Sequence, residues 1–283
     1  MGEAAAVTMT GGSEVGAKRS SVIKRIASAV ILIPLFVWCV VAAPWLFRIV
    51  VIAAAAGAAW ELLGLFERAG RSSYRYLGVT LTAVVTASFL VAGAPAPVLA
   101  AAAALILGAP LLVGRVPDGE ATAITLLAVA YVGWLLGHAV LLQALPEGGL
   151  LVLFLVGVTW AGESAAYLIG SLAGRHPLAP AISPRKTVEG GVAQIVVSVG
   201  AALALAVWLL PTWSFTQAGV AGALLGVIGQ VGDLAGSAMK RSVGAKDAGT
   251  LIPGHGGLLD RLDGLLFNTP ALYYYARLIG VGS

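Results

Sequence analysis

Residues 191–210 read Gly191-Val-Ala-Gln-Ile-Val-Val-Ser-Val-Gly200-Ala-Ala-Leu-Ala-Leu-Ala-Val-Trp208-Leu-Leu210, 20 residues without a charged side chain. An α-helix rises 1.5 Å per residue, so about 20 apolar residues cross the roughly 30 Å hydrocarbon core of a bilayer. The same pattern recurs along the chain. Nine such stretches are predicted, at 26–43, 45–66, 77–93, 95–113, 121–144, 149–172, 191–210, 217–236 and 262–281. The expected fold is therefore all-α: a polytopic integral membrane protein of about nine transmembrane helices. Short Pro, Gly and Trp segments such as Ala43-Pro44-Trp45 and Pro211-Thr212-Trp213 join several of them, and Trp at such ends fits an interfacial belt.

Composition agrees. Of 283 residues, 59% are hydrophobic and 11% charged, where an ordinary soluble domain carries about a quarter charged. The mean hydropathy is +0.95. These values exclude a soluble enzyme, a disordered protein and a nucleic-acid binder. The net charge of +4 and pI near 9.4 point to basic loops rather than to a polyanion partner. The single cysteine, Cys39, lies in an apolar run, which excludes an intramolecular disulfide framework and a cysteine-based zinc site.

Charge also orients the chain. With the N-terminus inside, all of the 17 Lys and Arg residues except Arg48 and Arg277 fall on the inner side, which the positive-inside rule associates with the cytoplasm. An odd number of spans then puts the C-terminus outside. Residues 1–19 lack apolar periodicity and are expected to be a disordered cytoplasmic tail. The run after Lys24-Arg25 is long and has no convincing cleavage site, so it reads as the first span rather than a signal peptide. Residues 20–145 form N-terminal transmembrane helices. Residues 146–283 form a C-terminal region with two cytoplasmic loops, 173–190 and 237–260, and no internal repeat is evident.

Those two loops hold the polar chemistry. Pro177, Pro180 and Pro184 forbid a continuous helix in the first. Around the second, residues 232–263 contain Asp233, Lys240, Arg241, Lys246, Asp247, Asp260, Arg261 and Asp263, more than twice the charge density of the chain. Asp260 and Asp263 are three apart and share a helix face. Converging carboxylates at a membrane-facing site are costly unless they bind a cation or pair with bases, and oxygen ligands suit Mg²⁺. The alternative makes Asp260 a helix cap with Asp263 favoured by the helix dipole. Lys240, Arg241 and Lys246, with Arg185 and Lys186, form a cradle for polyphosphate or are ordinary positive-inside charge. Pro253-Gly-His255-Gly256-Gly257 is a Gly-rich turn before a helix, able to present backbone N–H groups to phosphate or to act only as a turn. His255 is a candidate proton donor or phosphate ligand, whereas His138 and His176 read as structural. Glu163 lies within a span, on one face with Tyr167 and Gly170, as a functional acid or as a polar interhelical contact.

The stretch from Ser237 through Lys240-Arg241, Lys246-Asp247, Gly249, Pro253-Gly-His255-Gly256-Gly257 and Asp260-Arg261-Leu-Asp263 resembles the 27-residue signature of the phosphatidate cytidylyltransferases, also called CDP-diacylglycerol synthases. Ser183-Pro184-Arg185-Lys186-Thr187-Val-Glu189-Gly190 resembles a second motif of that family, and Gly232-Asp233-Leu234 a third. The resemblance covers residues from about 160 to the C-terminus; the first half agrees only in being polytopic. Two positions depart from the pattern. The family commonly has Asp where this chain has Glu163, and commonly has Glu-Ser where it has Gly236-Ser237, which removes a carboxylate.

The resemblance implies transfer of a cytidylyl group from CTP to phosphatidic acid, giving CDP-diacylglycerol and pyrophosphate for phospholipid biosynthesis. It implies Mg²⁺, with a second cation allowed, held by Asp233, Asp260 and Asp263. It implies catalytic roles for Asp233, Asp260, Lys246 and Asp247. Substrate binding would fall to Ser183, Arg185, Lys186, Thr187, Lys240, Arg241, His255, Gly256, Gly257, Arg261, Glu163 and Tyr167. The enzyme would be integral to the cytoplasmic membrane with its site facing the cytosol, where CTP is found. It would bind no nucleic acid, and a homodimer stays open. Two alternatives remain at this point: a non-catalytic or transport-type homologue, and a CTP-dependent enzyme acting on another lipid acceptor.

Overall fold

The computed structural model describes residues 34–249, 251 and 256–282. The tail 1–19, the start of the first span and His255 lie outside these residues. Nine helices follow one another among the described residues: α1 (34–42), α2 (Pro44–Arg68), α3 (Arg75–Ser88), α4 (Pro95–Leu112), α5 (Gly119–Ala144), α6 (Gly148–Ala173), α7 (Val188–Leu209), α8 (Phe215–Ser242) and α9 (Leu259–Leu278). The chain is an all-α polytopic membrane protein. Six of the helices, α2, α4, α5, α6, α7 and α8, are long and apolar enough to cross a membrane.

The other three differ from ideal spans for separate reasons. Among the described residues α1 covers only 34–42. Helix α3 has 14 residues where 77–93 was expected, because after Ser88 the backbone passes into i, i−3 turns at Phe89, Leu90 and Val91. Thr82, Thr86 and Ser88 donate their hydroxyls to the carbonyls of Gly78, Thr82 and Val85, and the chain then turns through Gly93 at φ 77°. Helix α9 has 20 residues but spends its start on Asp260, Arg261 and Asp263.

Helix starts follow local chemistry. Pro44 and Pro95 sit in the first turns of α2 and α4, where a missing N–H costs nothing. Asp118 accepts from the backbone N–H of Glu120 and Ala121 at the head of α5. Ser214 and Gln217 form a reciprocal capping box on α8. Within α5, Val129–Trp134 widens into a π-helical turn, and Thr86 donates to the Gly133 carbonyl there at 3.2 Å.

Helices α6, α7, α8 and α9 pack in sequence, and α9 also leans on α5 and α2. Glycines on α8 make the close approaches possible. A β-carbon at Gly222 would lie 2.7 Å from the Val199 Cα of α7, and one at Gly226 2.9 Å from the Ile195 Cα. Further along, a β-carbon at Gly232 would lie 2.8 Å from the Asp263 carbonyl oxygen of α9. Lipid tails are as apolar as side chains, so helices in a bilayer associate through tight van der Waals packing and polar ties rather than apolar burial. One such tie is buried Asn268, which donates to Thr159 Oγ1 at 2.9 Å and joins α9 to α6.

The proline-containing loop after α6 is ordered. It folds as an antiparallel hairpin of β1 (Pro177–Ala179) and β2 (Ser183–Thr187), pairing Pro177 with Thr187 and Ala179 with Ser183. Short β-strands were not expected there. Arg241 at the end of α8 donates to the Ile182 carbonyl at 3.2 Å and to the Ala245 carbonyl at 2.6 Å. The two polar loops therefore meet at one end of the bundle.

Candidate active site

The last turn of α8 and the first turns of α9 place Lys240 between two acids. Its Nζ lies 2.6 Å from Asp260 Oδ1 and 3.4 Å from Asp263 Oδ2. The i, i+3 spacing of the two aspartates is what lets one ammonium reach both. Asp260 is no helix cap: Leu258 occupies that position and no side chain caps α9. Asp260 Oδ2 instead accepts the Ala248 N–H at 2.9 Å, so this carboxylate holds the returning loop as well as Lys240.

A second acid–base pair stands beside the first. Lys186 Nζ, at the end of β2, lies 2.7 Å from Asp233 Oδ2 on α8, in ion-pair contact but off line for a hydrogen bond. Both line a groove of about 640 Å³ between α6, α7, α8 and the hairpin. Glu163, Tyr167, Arg185 and Thr187 line it too, with Leu178, Ala166 and Gly170 as its less polar wall. Glu163 faces α9 closely enough that a β-carbon at Gly264 would overlap its carboxylate. Gly264 follows Asp263 directly, so the groove and the Lys240 cluster are neighbours.

The other candidate residues divide by environment. Thr187 accepts the Gly190 N–H at 3.2 Å and caps α7, packed so tightly that a β-carbon at Gly174 would come within 2.5 Å of it. Ser183 begins β2, and Arg185 and Tyr167 are exposed at the groove. Arg241 ties the loops together. Lys246 and Asp247 are exposed on the loop after α8, and Arg261 is exposed on the first turn of α9. Gly256 has φ 86°, a conformation glycine adopts without strain. A β-carbon at Gly257 would lie 2.8 Å from Asp260 Oδ2 and 2.9 Å from Glu61 Oε2, so close backbone approach requires glycine there. His138 is buried, hydrogen-bonded to the Trp134 carbonyl at 2.8 Å and near the Tyr274 hydroxyl at 3.2 Å. His176 pairs with Glu189. Both therefore have protein partners.

Three contributors from the first half of the chain were not anticipated. Glu61 of α2 is 3% exposed and accepts the N–H of Leu251 at 3.0 Å and of Leu259 at 2.9 Å. Arg68 donates to the Ala248 carbonyl at 2.7 Å. Tyr131, in the π-helical turn of α5, brings its hydroxyl to the Gly236–Asp263 contact. An acid inside an apolar stretch was the available signal for Glu61; Arg68 and Tyr131 carry no comparable signal.

A family model described as the cytidylyltransferase family matches residues 23–279. The chain belongs to this family. An uncharacterised Escherichia coli (strain K12) protein, YnbB, is 43% identical over 155 residues, covering 51% of this chain and 52% of that protein. A Staphylococcus saprophyticus phosphatidate cytidylyltransferase is 39% identical over 153 residues, 53% of this chain and 57% of the relative. A Synechocystis phosphatidate cytidylyltransferase is 42% identical over 139 residues, 47% and 45%. The chain spans about half the length of the curated relatives it matches.

The acids fit a hard divalent cation in donor chemistry. Asp233, Asp260 and Asp263 offer only oxygen, the preference of Mg²⁺. Among the described residues, no three His, Cys, Asp or Glu side chains form a ready ligand cluster. Mg²⁺ commonly takes one or two carboxylates and completes its shell with water and substrate phosphate, and carboxylates compensated by lysines allow that arrangement.

Proposed function

We propose that this cytidylyltransferase-family protein transfers the cytidylyl group of CTP to phosphatidic acid, giving CDP-diacylglycerol and pyrophosphate. One observation carries the reading. Three acids and two lysines from the signature motifs stand together at one end of the bundle, beside a groove bounded by membrane-spanning helices. Leu168 and Leu172 of α6 and Val192 and Val196 of α7 are exposed apolar residues on the helices that bound the groove, which suits an acceptor that resides in the bilayer.

A phosphate oxygen of the lipid attacks the α-phosphorus of CTP. The new P–O bond forms as the bond from the α-phosphorus to its bridging oxygen breaks, and pyrophosphate departs with that electron pair. The nucleophile is already an anion, so no strong general base is needed. Both reactants are negatively charged, so catalysis rests on neutralisation and in-line placement. Lys186 in the groove and Lys240 beside it supply positive charge, with Arg185, Arg241 and Lys246 on the adjoining loops. Asp233, Asp260 and Asp263 would hold Mg²⁺, which when bound neutralises developing charge on the phosphates. The site faces the cytosol in the cytoplasmic membrane, in keeping with the basic-residue asymmetry and with the location of CTP.

The test is purified protein with CTP labelled on its α-phosphate and a panel of phospholipid acceptors, with and without Mg²⁺. The proposal requires label in CDP-diacylglycerol, matched by pyrophosphate release, with phosphatidic acid alone among the acceptors. Label in the product of another acceptor assigns a different lipid. No transfer to any acceptor removes the activity.

A further inference from the structure

The groove between α6, α7, α8 and the hairpin carries two polar side chains that take no part in the phosphate chemistry. Gln194 of α7 and Gln230 of α8 both line it. Gln194 is 4% exposed, and no hydrogen bond among the described residues involves either amide. A buried amide without partners costs stability, so its retention needs a reason. The Gln194 amide is not sealed off by protein, and the groove it lines is the space into which it opens.

Glycines make room for both side chains. A β-carbon at Gly191 would lie 2.5 Å from Gln230 Nε2, and one at Gly162 would lie 3.2 Å from Gln194 Cγ. Gly191 and Gln194 are three apart on α7, and Gln230 and Asp233 are three apart on α8, so each pair shares a helix face. The Gln230 amide therefore reaches across to α7, about 4.5 Å further from the loops than Asp233. Gln194 lies about 9 Å along α7 from Val188 at its loop end.

The groove is thus graded along the bundle axis. Its loop end holds Arg185 and the Lys186–Asp233 pair. Its inner end holds two neutral amides, with Glu163 following Gly162 on the facing helix. An anionic phosphate suits the first end and is disfavoured beside the Glu163 carboxylate. A neutral acceptor suits the second, because each glutamine amide carries two N–H donors. A lipid entering from the bilayer presents its groups in that order. Its phosphate lies at the membrane surface, and its acyl ester carbonyls lie deeper, within an interfacial layer of about 5–7 Å. CTP arrives from the cytosol and meets the loop end first.

We propose that Gln194 and Gln230 form an ester-recognition subsite for the acceptor lipid, their amide N–H groups donating to the acyl carbonyls of a diacylglycerol phosphate. The inference rests on the lipid-phosphate reading of the same groove. A site built to hydrogen-bond a substrate group discriminates against an analogue lacking it, because its own polar groups are then left unpaired. The subsite therefore selects ester-linked over ether-linked lipids of the same headgroup and chain length.

The experiment measures equilibrium binding of dioleoyl phosphatidic acid and of its dioleyl ether analogue to the purified full chain in detergent, without CTP, for wild type, Gln194→Leu and Gln230→Leu. Melting temperature and binding of CTP alone are measured in parallel. Wild type should bind the ester about tenfold more tightly than the ether, as expected for a pair of neutral hydrogen bonds. Leucine is close to glutamine in size and lacks the donors, so each variant should lose most of this preference through weaker ester binding. Melting temperatures without lipid should not fall, since the amides have no protein partner to lose. Equal wild-type affinity for the two lipids overturns the proposal. So does a preference that survives in either variant, with or without a lowered melting temperature. Weaker CTP binding with an unchanged ester-to-ether ratio also overturns it and assigns the amides to the nucleotide. Loss of the preference in variants of a protein that forms no CDP-diacylglycerol upholds the subsite and sinks the reaction instead. A wild-type protein that binds neither lipid removes both.

Discussion

Two groups of acids meet the loop between α8 and α9 from opposite sides, and they are neutralised differently. On the α2 side, Glu61 is enclosed by backbone: Leu251 and Leu259 donate to its two oxygens, and Gly249 and Gly257 press against it. On the α8–α9 side, Asp233, Asp260 and Asp263 face the ammonium groups of Lys186 and Lys240. Backbone donors are fixed and form part of the fold. A lysine is a mobile point charge, so a carboxylate compensated by lysine can share its charge with an arriving cation or phosphate. Glu61 is committed to the loop, Asp260 holds the loop through Ala248 with one oxygen and Lys240 with the other, and the lysine-paired oxygens are the ones a cation or phosphate could share.

The largest effect that would sharpen this contrast is expected at Lys240. Lys240→Ala leaves Asp260 and Asp263 close together without their shared cation, an arrangement disfavoured by repulsion and desolvation. Turnover should fall about a hundredfold or more, since each tenfold corresponds to only about 1.4 kcal/mol of barrier. Near-normal turnover in the variant would make Lys240 an ordinary loop charge.

Glu61→Ala should act through the loop. It orphans the buried Leu259 N–H, at about 1–3 kcal/mol, and the part-buried Leu251 N–H, so the melting temperature should drop and protease should cut between residues 248 and 259 more readily. Glu61→Gln, which keeps an acceptor, should recover part of the loss. If Glu61→Ala lowers turnover with neither structural change, Glu61 belongs with the chemical acids and the contrast fails.

Glu163 tests the groove side of the same distinction. Glu163→Asp should stay active, because the acid remains, while Glu163→Ala should lose activity by about tenfold, comparable to losing a hydrogen bond to a charged group. Full activity in the alanine variant would reduce the residue to a packing contact between α6 and α9.

The smallest effect lies far from the site, at the head of α5. The backbone N–H of Ala121 and then the Ser72 hydroxyl hold the Asp118 carboxyl below its usual range. A folded-state pKa below the unfolded value near 3.9 gives stability that is present above that value and lost as pH falls through the folded one. Asp118→Ala should therefore melt slightly lower than wild type at neutral pH, and the gap should close below about pH 4. A constant gap down to pH 2 would show that the cap does not depend on charge.

The spans were legible because twenty-residue apolar runs have few other uses. The pairing of Asp260 with Asp263 was legible because helical spacing dictates a shared face. Asp260 could still be read as a cap, since only the folded loop shows that Ala248 and Lys240 occupy its oxygens. The hairpin at 177–187 was hidden by its prolines, which exclude a helix without specifying an alternative. Glu61, Arg68 and Tyr131 act on the site across more than a hundred residues of chain, and no local pattern relates such positions. The glycines at 232, 236, 249 and 257 stood in or near the quoted motifs, but the groups that press on them came from the fold.

The central claim is that the signature acids form a cation-dependent phosphate site, and it is tested most directly by a Mg²⁺ titration of CDP-diacylglycerol formation in purified wild type, Asp233→Asn and Asp260→Asn. Loss of a metal-held charge is worth several kcal/mol of transition-state stabilisation. Both variants should therefore remain folded in the membrane, lose at least about a hundredfold in rate and respond to Mg²⁺ differently from wild type. Wild-type rates with wild-type Mg²⁺ dependence in both variants would contradict the account and leave Asp233 and Asp260 as ion-pair partners of Lys186 and Lys240 alone.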